Sequence, residues 1–188
     1  MKKYMRVIIC VCYSYIKFFF IRIFNLNNFK FPLINIVSPF TQIEIGKNSR
    51  LDIGKEMRVR SGSKIRVRKN AIIKIGNKTS LNYNCIITAH EKICIGDNVQ
   101  IGPNVLIYDH DHDYRKANGL KNLDYKTSPV EIGNDTWIGA NVVILRGTKI
   151  GEGSVIAAGT IVKGNIPPQS LVYNEKELIS KPIHRELR

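Results

Sequence analysis

Ile95-Gly-Asp-Asn-Val-Gln is followed at once by Ile101-Gly-Pro-Asn-Val-Leu, and the same beat of six resumes at Ile132-Gly-Asn-Asp-Thr-Trp. Four more hexads follow, opening at Ile138, Ile144, Ile150 and Ile156. Each begins with an aliphatic residue and usually continues with a small one. The fourth residue is Asn, Asp or Gly, and the fifth is small or β-branched. An amphipathic helix repeats its apolar positions every three to four residues and a lone strand every two. A strict six calls instead for short strands joined by tight corners, stacked so that every first residue falls into one interior column. That is the pattern of a parallel β-helix. Asn, Asp and Gly suit the fourth position because they tolerate the left-handed backbone that such corners require.

The chain of 188 residues suggests one domain, and it carries a formal net charge of +14. Residues 1–75 hold 16 Lys or Arg against 3 acids, while residues 76–188 hold 13 against 12. The basic character therefore belongs to the N-terminal part, which suits a polyanion or an anionic membrane surface. Nucleic acid is the weaker candidate, because aromatic residues do not interleave the basic coils. The four cysteines, Cys10, Cys12, Cys85 and Cys94, have neither metal-ligand spacing nor a disulfide framework. They fit a reducing cytosol, and Cys85 falls on a small interior position as core.

Residues 1–40 lie outside the repeat pattern. Tyr4–Phe24 is rich in Ile, Val, Phe and Tyr but is interrupted by Arg6, Lys17 and Arg22, and its longest uncharged run, Val7–Ile16, is too short to span a bilayer. Two readings stand: an amphipathic segment lying on the inner face of the cell membrane, which the basic charge favours, or a helix capping the open end of the solenoid. Looser repeats begin at Ile43-Glu-Ile-Gly, with two-residue insertions and outward Arg and Lys. The expected divisions are 1–40, a β-helix over 41–166 and a tail over 167–188 that folds back on the last coil. Between Asp111 and Pro129 the beat is broken by a polar insertion, after which it returns in phase. An insertion thrown out of a rigid scaffold is where function tends to sit.

Three of the four histidines lie between residues 90 and 112. His90 and His110 both take the corner position of their hexads, 20 residues apart, a spacing that could stack them on successive coils. His112 opens the insertion between Asp111 and Asp113. A neighbouring carboxylate can orient an imidazole and stabilise its protonated form, which suits a general base. No Ser-His-Asp order and no phosphate-binding glycine loop accompanies them.

With Asn82-Tyr-Asn-Cys, the paired hexads at Ile95 and Ile101, Asp109-His-Asp-His, Ile132-Gly-Asn-Asp-Thr-Trp-Ile-Gly-Ala and Ile161-Val-Lys-Gly-Asn-Ile-Pro-Pro, residues 75–168 resemble the hexapeptide-repeat acyltransferases. The likeness is to the galactoside, maltose and polysaccharide O-acetyltransferase branch. It implies an all-β, left-handed parallel β-helix, a homotrimer with active sites between subunits, and acetyl-CoA as co-substrate without a metal. It also implies an enzyme acetylating a sugar hydroxyl, as of a surface polysaccharide; the membrane-prone basic N-terminus adds its lipid-linked precursor as an acceptor, and the cysteine pattern a cytoplasmic setting. The family's base falls on His112, with His110 the fallback, and its acceptor-positioning Asn on Asn82. The cofactor arm falls along Trp137, Gly139, Ala140, Ala158, Gly159 and Lys163. Ala140 stands where some relatives carry a hydroxyl, and the segment from Val172 departs from the common ending. A chloramphenicol- or streptogramin-type acetyltransferase is a variant of the same reading. A γ-class carbonic anhydrase would need His90, His110 and His112 as metal ligands, yet that family spaces its paired histidines five apart, not as His-x-His. A non-catalytic scaffold would have no use for the cofactor motifs.

Overall fold

In the computed structural model, which describes residues 2–26 and 28–175 (of residues 2–7 only the backbone), the first residue of every hexad turns inward. Ile95, Ile101, Ile107, Ile132, Ile138, Ile144, Ile150 and Ile156 are all buried in one core. The fifth positions Val99, Val105, Thr136, Val142, Thr148, Ser154 and Thr160 are buried beside them. Each such aliphatic side chain contributes roughly 1.5–3 kcal/mol by leaving water.

The strands form three parallel sheets, the faces of a triangular prism. Face 1 stacks Phe29–Lys30, Arg50–Ile53, Ile72–Ile75, Lys92–Ile95, Val130–Ile132, Lys149–Ile150 and Asn165–Ile166. Face 2 runs from Ile36–Val37 through Arg58–Val59, Ser80–Leu81, Gln100–Ile101, Trp137–Ile138 and Val155–Ile156 to Leu171–Val172. Face 3 comprises Gln42–Ile45, Lys64–Val67, Ile86–Ala89, Leu106–Tyr108, Val143–Ile144 and Ile161–Val162. The first coil thus starts at Phe29, ahead of Ile43, where the repeat becomes readable. Phe29 pairs with Leu51 and Leu51 with Ile73, a 22-residue advance, whereas Ile132 pairs with Ile150 at 18. From Gln42 to Ile95 the extra residues lengthen the strands of faces 1 and 3 to four residues, while face 2 keeps two. The prism is therefore wider at its N-terminal end.

The corners need the backbone that the hexads implied. Asn98, Asn104, Asp135 and Asn141, the fourth residues of their hexads, have φ between 55° and 58°, and Gly147, Gly153 and Gly159 take the same hexad position with φ of 67° to 74°. Glu56, Lys78 and Gln169 occupy equivalent corners at φ of 54° to 59° without that tolerance, a strain of about 1–2 kcal/mol each. Side chains also ladder from corner to corner: Asn98 Nδ2 donates to Asp135 Oδ1, and Asn104 Nδ2 to Asn141 Oδ1.

Helix α1 (Lys2–Phe24) closes the wide end. Its inner stripe carries Ser14, whose hydroxyl accepts the Val37 N–H at 2.7 Å, and Phe18, which packs edge-on against Phe29 and Phe31. Lys17 donates to the carbonyls of Thr41 and Pro39, and burial pushes its ammonium below the ordinary value. The capping half of the N-terminal expectation is thereby met. No helix among the described residues is long and apolar enough to cross a membrane. At the other end, Leu171–Val172 is the last described strand, and residues 176–188, with most of the expected tail, lie outside the described residues.

Candidate active site

Face 3 runs into its corner with face 1 at Asp109 and His110, and there the insertion leaves the prism. It is an ordered hairpin: His110–His112 pairs antiparallel with Tyr125–Thr127, in the register His110 to Thr127 and His112 to Tyr125. The turn between them is tied by the Asp113 N–H to Asp124 carbonyl bond and by Lys116–Asp124 and Lys126–Asp113 ion pairs at 3.0 and 3.3 Å. Gly119 is needed at its tip, because a Cβ there would press against the Asp113 carbonyl.

Asp109 is the anchor of the corner. Its carboxylate is fully buried and accepts backbone N–H bonds from His90 (2.8 Å), Glu91 (2.7 Å) and Lys92 (2.7 Å) of the preceding coil. It also lies 3.1 Å from Nδ1 of His110. Burial alone would raise its pKa, but the hydrogen bonds from His110 and the three amides outweigh that and hold it below the ordinary value. An ionised Asp109 makes Nδ1 of His110 the donor, so that Nε2 carries the free lone pair.

The corner histidines do stack on successive coils: the rings of His90 and His110 are 4.0 Å apart. Tyr125, returned by the hairpin, lies 4.1 Å from His90, 5.3 Å from His110 and 4.7 Å from His112. Burial, chiefly, and the neighbouring His110 push the pKa of His90 down to about 4, so it is neutral near pH 7. An open cleft of about 430 Å³ is lined by Tyr108, His110, Asp111, His112, Tyr114 and Leu120.

Both histidines named from the sequence therefore reach one cleft, but in different surroundings. His110 is mostly enclosed and oriented by Asp109, whereas His112 is exposed on the hairpin. The carboxylates that flank His112 are committed elsewhere, Asp111 to Arg146 at 2.5 Å and Asp113 to Lys126. Sequence reasoning looked to Asp111 and Asp113 as orienting groups and passed over Asp109. Spacing alone does not single out Asp109, because its role depends on backbone amides of the preceding coil. Tyr125 had no local signal, because only the hairpin brings it back.

The remaining expected residues divide between two corners. Asn82 stands at the corner of faces 2 and 3, where its Oδ1 accepts the Tyr83 N–H and its N–H donates to the Ile101 carbonyl. Gly139, Ala140, Ala158 and Gly159 follow at that same corner on later coils, beside the exposed Trp137 at the end of face 2. Gly139 has a packing reason of its own, since a Cβ there would come within 2.6 Å of the Ala158 nitrogen. Gly159 faces open space at φ 73°. Lys163 stands exposed at the histidine corner, one face away. Face 3, which separates the two corners, carries an outward apolar column of Ile86, Leu106, Val143 and Ile161. Cys85 is buried, and burial raises its thiol pKa, as core requires. Among the described residues, no three His, Cys, Asp or Glu side chains converge as metal ligands.

Residues 129–164 match the family model described as bacterial transferase hexapeptide (six repeats). A galactoside O-acetyltransferase of Escherichia coli K12 is 42% identical over 100 residues, which is 51% of this chain and 47% of that protein. A hexapeptide-repeat containing acetyltransferase of Vibrio cholerae aligns with a TM-score of 0.51 at 29% identity, over 68% of this chain and 66% of that one. An N-acyltransferase of Bacillus cereus, solved with dTDP and 3-hydroxybutyryl-CoA, shares the fold with a TM-score of 0.61 at 20% identity, over 73% of each chain. The chain spans about half the length of the curated relatives it matches. In repeat and coil, the β-helix is similar to those of the hexapeptide-repeat transferases.

Proposed function

We propose that this chain is an acetyl-CoA-dependent O-acetyltransferase acting on a sugar hydroxyl, with His110 as the general base. The observation that carries the reading is the buried Asp109–His110 pair at the mouth of the cleft. Nδ1 is held as donor, so Nε2 can take the hydroxyl proton as the acceptor oxygen attacks the thioester carbonyl. Asp109 steadies the imidazolium so formed. Collapse of the tetrahedral intermediate breaks the C–S bond, and the imidazolium returns its proton to the departing thiolate. His112, across the same cleft, then serves as a contact to the acceptor. The names of the galactoside O-acetyltransferase and of the Vibrio cholerae acetyltransferase support the choice of acetyl donor and sugar acceptor.

A second copy of the chain completes the site in this reading. Asn82 and the glycine-rich corner lie one face away from His110, and the apolar column on face 3 between them is suited to self-association. A homotrimer joined across that face would bring the acceptor-positioning Asn82 and the cofactor-binding row Trp137, Gly139, Ala140, Ala158 and Gly159 of one copy toward His110 and Lys163 of another. The acceptor is a sugar of a surface polysaccharide or its lipid-linked precursor.

The test is thiol release from acetyl-CoA over a panel of sugars, oligosaccharides and chloramphenicol. Release that depends on a saccharide supports the reading. Release with chloramphenicol and no saccharide would assign the acceptor to an antibiotic instead. Absence of release with every acceptor, from protein shown to bind coenzyme A, would contradict acetyl transfer to these classes.

A further inference from the structure

A helix that merely closes a solenoid needs one apolar stripe, the one against the first coil, and a polar outer side. Helix α1 has its inner stripe in Ser14, Phe18 and Ile21, yet its outer side is apolar as well. Ile8, Ile9, Ile16, Phe20, Ile23 and Phe24 point away from the β-helix, with Phe24 82% and Ile9 62% exposed. The first coil adds Leu33, Ile34 and Phe40, each 60% exposed or more. Thirteen of the 21 exposed large apolar side chains of the described residues fall between Ile8 and Phe40, so the patch is a property of this end and not of the surface in general. Exposed cations stand on α1 and the first two coils beside it: Arg22, Lys30, Lys47, Lys55, Arg58 and Arg60. Acids are scarce there, and two of the three within residues 1–75, Glu44 and Asp52, are already paired with Arg66, Arg68 and Arg50.

We propose that the outer face of α1 is a docking surface for an anionic lipid bilayer, on which the protein lies with its wide end down. Apolar side chains at the tip and cations just behind them are the arrangement of an interfacial helix, with the former entering the acyl boundary and the latter meeting the headgroups. The inner stripe stays on the β-helix, so docking requires no unfolding. Charge decides between a membrane and a second copy of the chain: two such ends brought together would set their cations against each other. On face 3, the strand leading to His110 stands three strands beyond the first one, roughly 14 Å at the spacing of paired strands. The cleft would then open a little above the headgroups, within reach of the first sugars of a lipid-linked glycan. That last placement rests on the acetyl-transfer reading, whereas the docking itself does not.

The experiment is co-sedimentation of the full chain with vesicles of phosphatidylcholine alone and of phosphatidylcholine with 30 mol% phosphatidylglycerol. Alongside wild type go Phe20→Glu/Phe24→Glu and Lys30→Glu/Arg58→Glu, each checked for an unchanged β-sheet circular dichroism spectrum. The expected result is binding to the anionic vesicles only, lowered at least tenfold by either double variant and by raised salt, together with a blue shift of Phe20→Trp emission on adding those vesicles. Three results would overturn the proposal: no binding of wild type to anionic vesicles, equal binding by wild type and both variants, or an apolar-face variant that leaves vesicle binding unchanged while breaking an oligomer, which would give the face to a second copy. Loss of acetyl transfer in every assay would leave the docking result untouched.

Discussion

The coils on the N-terminal side of His110 advance by 22 and then 20 residues and, together with α1, carry nearly all of the excess positive charge, whereas those beyond the hairpin advance by 18 and then 16 and are close to neutral. Their corners differ too. Glu56 and Lys78 hold left-handed backbone in the early coils, beside Asn48, Gly62, Asn70 and Asn84, whereas the later coils place Asp135, Asn141, Gly147, Gly153 and Gly159 there and depart from Asn, Asp or Gly at Gln169 alone among the described residues. A solenoid needs only that each coil fit its neighbours, so one half can be tuned for regular stacking while the other spends its outward positions on charge. The candidate active site lies at the boundary between the two regimes, with Asp109 fastened to the last 20-residue coil and the hairpin leading into the first 18-residue one.

That boundary is where the largest effect is expected. Asp109→Asn keeps the shape of the side chain but removes the ionised group that orients His110, and acetyl-transfer kcat should fall by about 10²-fold or more, the range of a disabled general base. A pH–rate profile displaced along with the fall would distinguish orientation of His110 from simple loss of stability.

Packing in the regular half gives the next effect. Gly139→Val forces a side chain against the Ala158 nitrogen, 2.6 Å from where its Cβ would stand, and overpacking of this kind costs about 1–3 kcal/mol, readable in chemical denaturation. The corners offer an exchange between the halves. Lys78→Asn should stabilise the protein by about 1 kcal/mol by easing its left-handed backbone, and Gly159→Ala should destabilise it by a similar amount. Gly159 is a clean probe, since no atom lies within 4 Å of its added Cβ. Equal and negligible effects would show that corner strain does not distinguish the two regions.

The smallest effect concerns His90. Its folded pKa of about 4 lies below the ordinary 6.5, so the unfolded chain takes up the proton first as the solution is acidified. Stability should therefore decline as pH falls from 6.5 toward 4. In His90→Phe that part of the decline in melting temperature should disappear, while the loss belonging to Asp109, at lower pH, should remain.

Much of this architecture was readable because it is repetitive. Seven hexads in register define an interior column, and the Asn, Asp and Gly corners define the bends, so the fold from Ile95 to Val162 follows from the pattern. The first coil was harder to read, because Phe29, Val37 and Thr41 are spread by insertions and two prolines. The amphipathic logic of α1 was obscured because both of its sides are apolar, so the stripe that packs on the first coil could not be told from the outer one. At the site, the stacked corner spacing of His90 and His110 could be counted, and so could the placing of Cys85 in the core. Asp109 could not be separated from Asp111 and Asp113 by spacing alone, since its role depends on three amides of a neighbouring coil. Tyr125 is placed by a hairpin whose pairing no periodicity announces.

The central claim is that the oriented His110, and not the exposed His112, takes the acceptor proton. Its most direct test compares kcat/KM for acceptor-dependent thiol release from acetyl-CoA in His110→Ala and His112→Ala, with both variants confirmed to be folded. A loss of about 10²–10⁴-fold in His110→Ala, beside a smaller loss in His112→Ala expressed mainly in the acceptor KM, is the predicted result. Near-normal kcat in His110→Ala with collapse in His112→Ala would contradict it and move the base onto the hairpin.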